Sequence, residues 1–281
     1  MSRSIAHRFF ALLVLALLAP DMAHALKVTV SPKDVIPGDV FLLKVETDGP
    51  MPVEAEFLGN KITLYPINGK QFLAMVPVDI DTAPAKYNIS ITAGEALQKT
   101  VINVRRHTFR TIKLTLPEAK VTLSPEDEQR AVREAELLNR IWPENTAPVW
   151  NGRFASPTNT ETSTEFGVKR IMNEKKTSVH RGMDFKGEAG APVRAINAGT
   201  VVLTEDLFFG GNTLIVDHGM GLYSVYMHLS KFNVSKGDKV SKSQIIGLIG
   251  STGRATGPHL HMSVKLNGMS VNPESLFKLA L

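Results

Sequence analysis

The sequence predicts a mainly β protein, with an N-terminal β-sandwich-like domain, a linker helix and a C-terminal antiparallel β domain. Three observations predict it. Short runs of alternating apolar residues, broken by turn residues, recur in both halves; glycines crowd the second half; and only one long stretch carries helical periodicity. With 281 residues, 43% of them hydrophobic, each half can bury its own core. Nothing in the composition marks disorder, collagen or a coiled coil.

Residues 1–25 are expected to be a signal peptide. Basic Arg3 and Arg8 precede an apolar run at 9–18, then Pro20 and a small-residue cleavage site, Ala23-His24-Ala25. The run falls short of the roughly 20 apolar residues a spanning helix needs, and no later stretch is long and apolar enough. The mature chain is therefore expected to start near Leu26, to be periplasmic or secreted, and to lack stable membrane insertion. With no cysteine, neither a thiol-linked lipid anchor nor a disulfide framework is available. Loss of two arginines and one aspartate with the signal lowers the formal charge from +5 to +4. That mild positive charge suits a partly anionic polymer such as cell wall, but the basic residues are scattered among acidic ones, which argues against nucleic acid.

From 26 to 106 the pattern is all-β. Val28 and Val30 alternate, Pro37-Gly38 marks a turn, Phe41, Leu43 and Val45 alternate, and Ile89 and Ile91 do so again. A small sandwich follows, with no paired titratable groups or metal-type spacing, so a spacer or substrate-positioning role fits it best.

Residues 107–149 read as a linker containing a helix at 125–142. Ser124 suits the N-cap, Pro125 the first turn, and Asp127 completes a capping-box pattern. Val132, Ala135, Leu138 and Trp142 then recur at helical spacing before Pro143. The apolar stripe implies that the helix packs on a domain, with Trp142 in a packing role.

From 150 to 281 glycine-containing turns separate β-type runs at 192–202, 212–216, 222–226, 245–249 and 260–266. Five of the eight histidines fall here: His180, His218, His228, His259 and His261. On a strand, His259 and His261 project from the same side, and Gly253, Gly257 and Pro258 form the turn that leads into them. His180 and Asp184 stand four apart, with Gly182 allowing a bend between them. Taken singly, Asp184 could be a turn cap and His180 a surface residue. Two histidines and a carboxylate make a sound three-ligand set for catalytic zinc with a fourth position open to water.

The run His180 to Asp184, then Tyr226-Met227-His228-Leu229, then Thr252-Gly253 through Gly257-Pro258-His259-Leu260-His261, resembles the LytM/lysostaphin-type zinc endopeptidases of bacterial cell walls. The resemblance spans roughly 154–277, including Phe166-Gly167, Gly190-Ala191-Pro192-Val193 and Gly237-Asp238-Lys239-Val240. It implies one Zn2+ per chain held by His180, Asp184 and His261, with His228 and His259 as unligated catalytic residues in an open groove. It places His218 at a structural position. Met227 stands where a small residue is common, and Met262-Ser263 where an aromatic and a glutamate are frequent; all three are expected around the groove, bearing on substrate preference. The implied substrate is the peptide stem of peptidoglycan, with the D-alanyl–diaminopimelate cross-link favoured over glycine bridges.

Three-coordinate zinc can bring the pKa of its water to about 7. No H-E-x-x-H supplies a glutamate base, so proton transfer falls to His228 and His259. Two rivals remain at this level. Two histidines and a carboxylate also form the facial triad of iron oxygenases, and a non-cleaving peptidoglycan-binding or amidase-activating module would share the fold. The layout further suggests intramolecular inhibition by the N-terminal domain.

Overall fold

The computed structural model describes residues 26–115, 122–143 and 146–281; the expected signal segment, 1–25, lies outside the described residues. In the first part, a four-stranded antiparallel sheet runs in the order Leu26–Ser31, Val40–Thr47, Gln71–Pro77, Tyr65–Asn68. A five-stranded sheet runs Asp34–Val35, Ala96–Val104, Ala85–Ala93, Val53–Phe57, Asn60–Ile62. Their inner faces share a core of Phe41, Leu43, Val45, Phe57, Ile89, Ile91 and Ile102, with Phe41 and Phe57 edge to face at 5.4 Å.

The Val40–Thr47 strand is buried on both faces. Its odd positions fill the sandwich, whereas Val40 and Leu42, with Leu73 and Met75 of the neighbouring strand, join the core of the C-terminal half. Each such buried side chain stabilises by roughly 1.5–3 kcal/mol. The seam is also polar. Asn272 donates from its backbone to the Gly38 carbonyl at 2.7 Å and from its side chain to Asp39 at 3.1 Å, and the Val40 amide donates to Ser275 Oγ at 3.1 Å.

The helix spans Pro125–Asn139, three residues shorter than the periodicity predicts. Ser124 accepts from the Asp127 amide as expected, but Arg140 is already the C-cap, and the Ile141 amide reaches Leu138 in a tight turn. Trp142 thus lies beyond the helix, where it meets Tyr223 edge to face at 5.4 Å. With Leu137, Leu138 and Ile141 it covers Leu203, Ile215, Tyr223 and Val225. Thr111–Leu114, in the segment expected to be linker, forms a strand parallel to Lys169–Met172, whose other neighbour is Lys176–Val179.

The C-terminal half is built on a ten-stranded sheet. Its main path runs Thr162–Thr164, Met183–Lys186, His259–Leu266, Leu222–Phe232, Gly211–Gly219, Gly199–Leu207, Lys239–Val240. The apolar run at 192–202 is two strands, Pro192–Arg194 and the start of Gly199–Leu207. Residues 195–198 break it, with Asn197 buried and its Oδ1 accepting from the Ala198 amide. One face of the sheet, with Leu222, Tyr226, Leu260, Met262, Val264 and Leu266, is core. The other carries His259, His261 and the Trp142 contact. No helix among the described residues is long and apolar enough to cross a membrane.

Candidate metal centre

Asp184 and His261 are direct partners across the Met183–Lys186 and His259–Leu266 ladder, and Lys186 faces His259 two residues along. Side chains two apart share a face, so both histidines and the aspartate point to the side opposite the core. His180 joins them from the bend before Met183, held by backbone bonds from its amide to the Val168 carbonyl and from the Gly167 amide to its own carbonyl. Gly182 makes the approach possible by its size: a Cβ there would lie 2.5 Å from the Met262 carbonyl and 2.6 Å from both His261 Nε2 and Ser263 Oγ. The freedom to bend expected of this glycine is secondary, since its φ is not in the left-handed region.

Three candidate ligand atoms converge. His180 Nε2 lies 3.0 Å from Asp184 Oδ1 and 3.0 Å from His261 Nδ1, and His261 Nδ1 lies 2.7 Å from Asp184 Oδ1. Each ligand is fixed from behind. His180 Nδ1 sits 2.9 Å from the Glu165 carbonyl, which can only accept, so Nδ1 carries the proton and the Nε2 lone pair faces the cluster. His261 Nε2 meets Ser263 Oγ at 2.9 Å, and Arg170 donates to Asp184 Oδ2 at 2.7 Å. A carboxylate oxygen and two imidazole nitrogens with outward partners are what a divalent transition metal takes. Bonds of about 2.0–2.2 Å in tetrahedral array would separate the ligands by about 3.3 Å, a few tenths wider than seen.

Burial acts to raise the Asp184 pKa, but hydrogen bonds and charge from His180 and His261 prevail and hold the carboxyl well below its usual range. It is a carboxylate at neutral pH.

His228 reaches the site by a different device. Met227 pairs with His261, so strict alternation would turn His228 toward the core with Tyr226. Instead His228 has φ 63°, where a non-glycine residue is uncommon, and its amide donates to Gly210 at 2.7 Å. The ladder bulges here, and the ring stands 4.7 Å from His259 and 6.1 Å from His261. Both unligated histidines have fixed tautomers: His228 Nδ1 donates to the Thr252 carbonyl and His259 Nδ1 to the Gly257 carbonyl, each at 2.9 Å. Their Nε2 lone pairs are left available. Burial, above all, pushes the His228 pKa down to about 4, so at neutral pH it is an uncharged proton acceptor.

Met262 is wholly buried in the core and Ser263 holds His261, so neither lies on the groove surface where substrate preference was expected to be set. Met227 packs against the Leu203 and Ile215 cluster. Arg170 was not singled out in the sequence, and Ser263 and Thr252 were named there only as motif positions, without the supporting contacts they make here. Arg170 meets Asp184 across 14 residues, and no local pattern signals such a pair.

His218 is buried, its Nδ1 donating to Ala198 at 2.7 Å and its Nε2 2.8 Å from Ser224 Oγ. Burial lowers its pKa to about 4. A folded-state pKa below the unfolded value of about 6.5 means that the unfolded chain binds protons first, so stability is lost as pH falls from 6.5 toward 4. His218 and His228 should each contribute on the order of 3 kcal/mol to that loss. Urea midpoints at pH 7.5 and 4.5 should therefore differ widely, and His218→Asn should shrink the difference; an unchanged difference would remove His218 from the account.

Residues 178–273 match Peptidase family M23. A stretch of 111 residues, 39% of this chain, is 42% identical to Peptidoglycan DD-endopeptidase ShyA of Vibrio cholerae, and covers 26% of that protein. A stretch of 95 residues, 33% of this chain, is 46% identical to Glycyl-glycine endopeptidase ALE-1 of Staphylococcus capitis, again covering 26% of it. The likeness thus spans only 26% of the length of either curated relative. A crystal structure described as a peptidase M23 from Pseudomonas aeruginosa superposes with a TM-score of 0.65 at 29% identity, over 86% of this chain and 94% of that one. That overlap takes in both β halves, so the two-part mainly β fold, and not just the C-terminal sheet, recurs there.

Proposed function

We propose that this chain, whose residues 178–273 form a Peptidase family M23 domain, is a secreted zinc metalloendopeptidase that hydrolyses peptide cross-links of peptidoglycan, with D-alanyl–diaminopimelate bonds as its targets. One observation carries the reading: His180 Nε2, Asp184 Oδ1 and His261 Nδ1 converge on the same sheet face toward which His228 and His259 turn their Nε2 atoms.

His180, Asp184 and His261 would hold the metal. Bound zinc supplies Lewis acidity, polarising a peptide carbonyl and bringing the pKa of water to about 7. Arg170 and Ser263 keep the ligand atoms aimed. His228 and His259, fixed as Nδ1–H tautomers, accept a proton at Nε2 and can then donate from that atom to an oxyanion or a leaving amine. Such acid–base assistance contributes about 10²–10⁴-fold. A hydrolytic role favours zinc over iron, because two unligated bases beside the ligand set serve water attack and amine departure. The substrate reading draws on the activity for which the relative with the longer shared stretch is named, a DD-endopeptidase; the glycyl-glycine enzyme marks the alternative bond.

The test is digestion of purified cross-linked muropeptide dimers by the protein, with and without chelator, then with zinc restored. Dimers should fall to monomers with zinc only, and the released ends identify the bond. Unaltered dimers under every condition would leave a non-cleaving wall-binding module as the better account.

A further inference from the structure

The turn between Ile245–Ile249 and His259–Leu266 supplies the carbonyls of Thr252 and Gly257 that fix His228 and His259. The same turn carries Arg254. Its amide donates to the Phe209 carbonyl at 3.0 Å, and its guanidinium carbon stands 4.3 Å from the centre of the Phe209 ring. The side chain is half-buried and cradled, yet among the described residues no carboxylate pairs with it. Burial, and then the charge of Arg170, work against its protonated form. Arg170 itself touches Asp184 through Nη2, while its Nε is buried without a partner. Arg254 and Arg170 thus stand close enough to feel each other's charge, and of the two only Arg170 has a carboxylate partner among the described residues, Asp184. A half-buried cation without an anion is costly, and an incoming anion would relieve it.

We propose that Arg254, with Arg170 nearby, forms a subsite for a substrate carboxylate beside the scissile peptide bond. This rests on the endopeptidase reading above and narrows its substrate class. In a D-alanyl–diaminopimelate cross-link the carbon bonded to the scissile nitrogen bears a free carboxylate; in a glycyl-glycine bridge that carbon bears two hydrogens and the uncharged carbonyl of the next peptide bond. The planar fork of arginine matches a carboxylate bidentately, and the Phe209 ring holds its plane in place. Arg254 is thereby a specificity-determining residue, discriminating between two cross-link chemistries without touching the reacting atoms.

Two muropeptide dimers distinguish this from a structural role: one with the free diaminopimelate carboxylate beside the cross-link, and one with that group converted to the primary amide. Steady-state kinetics of the full-length wild type, R254Q and R254K are compared, with zinc content measured for each. A charge-assisted hydrogen bond lost to R254Q should raise KM for the free-carboxylate dimer about 10–100-fold with kcat little changed. R254Q should leave the amidated dimer unaffected, and R254K should recover part of the loss. Equal losses on both dimers, or no loss on either, overturn the subsite. If the wild type cuts neither dimer, the endopeptidase reading fails separately, and equilibrium binding of the same two dimers decides the subsite. Weakening by R254Q of the carboxylate form alone upholds it, and equal or absent binding overturns it.

Discussion

Replacing His261 with alanine should abolish both metal retention and muropeptide cleavage while leaving the fold intact. His261 Nδ1 is one of the three converging ligand atoms, 2.7 Å from Asp184 Oδ1 and 3.0 Å from His180 Nε2. Two ligands cannot hold a catalytic metal at ordinary free concentrations. The loss of Lewis acidity, several kcal/mol of barrier, corresponds to about 10⁴-fold or more in kcat/KM. The imidazole lies on the sheet face opposite the core, so circular dichroism and the urea midpoint should change little. His228→Ala and His259→Ala should behave differently: each keeps its metal and loses about 10²–10⁴-fold in rate. Zinc content after gel filtration, measured beside turnover, separates the two classes. A His261→Ala protein that retains stoichiometric zinc would reject the ligand assignment.

Gly182→Ala should be nearly as damaging, although the change is a single methyl group. The added Cβ would meet the Met262 carbonyl at 2.5 Å and His261 Nε2 and Ser263 Oγ at 2.6 Å. None of these can yield cheaply, since one is ladder backbone and the other two are bonded to each other behind a ligand. The bend carrying His180 must lift from the His259–Leu266 strand, which separates His180 from His261. Metal affinity should fall about 10–100-fold, the scale seen when outer partners of a metal ligand are disturbed, and overpacking should cost about 1–3 kcal/mol of stability. Competition with a zinc chelator and urea unfolding measure the two effects. Gly257→Ala is the control: no atom stands within 4 Å of its would-be Cβ and its φ is ordinary, so it should be near neutral. Equal behaviour of the two variants would show that space at Gly182 is not what holds the centre together.

The sequence by itself determined what depends on neighbours along the chain. His259 and His261 share a face because strand side chains alternate, and the helix starts at Ser124 and Pro125 because a cap and a pre-set φ act within one turn. The mainly β character was legible for the same reason, and the three separated histidine motifs carried the family resemblance. Tertiary structure alone decided the features in which distant backbone overrides local pattern. His228 leaves the alternation because Gly210 and Thr252, from two other segments, hold its amide and ring in a left-handed turn. Ser263 and Arg170 become supports of the proposed metal ligands only once strands far apart in the chain are in register. Phe41, Leu43 and Val45 read as one buried face, but Val40 and Leu42 are buried too, against a second core most of whose residues lie more than 100 positions away. Period-two patterning reports one face of a strand; what covers the other is set by packing between parts of the chain that no local rule connects.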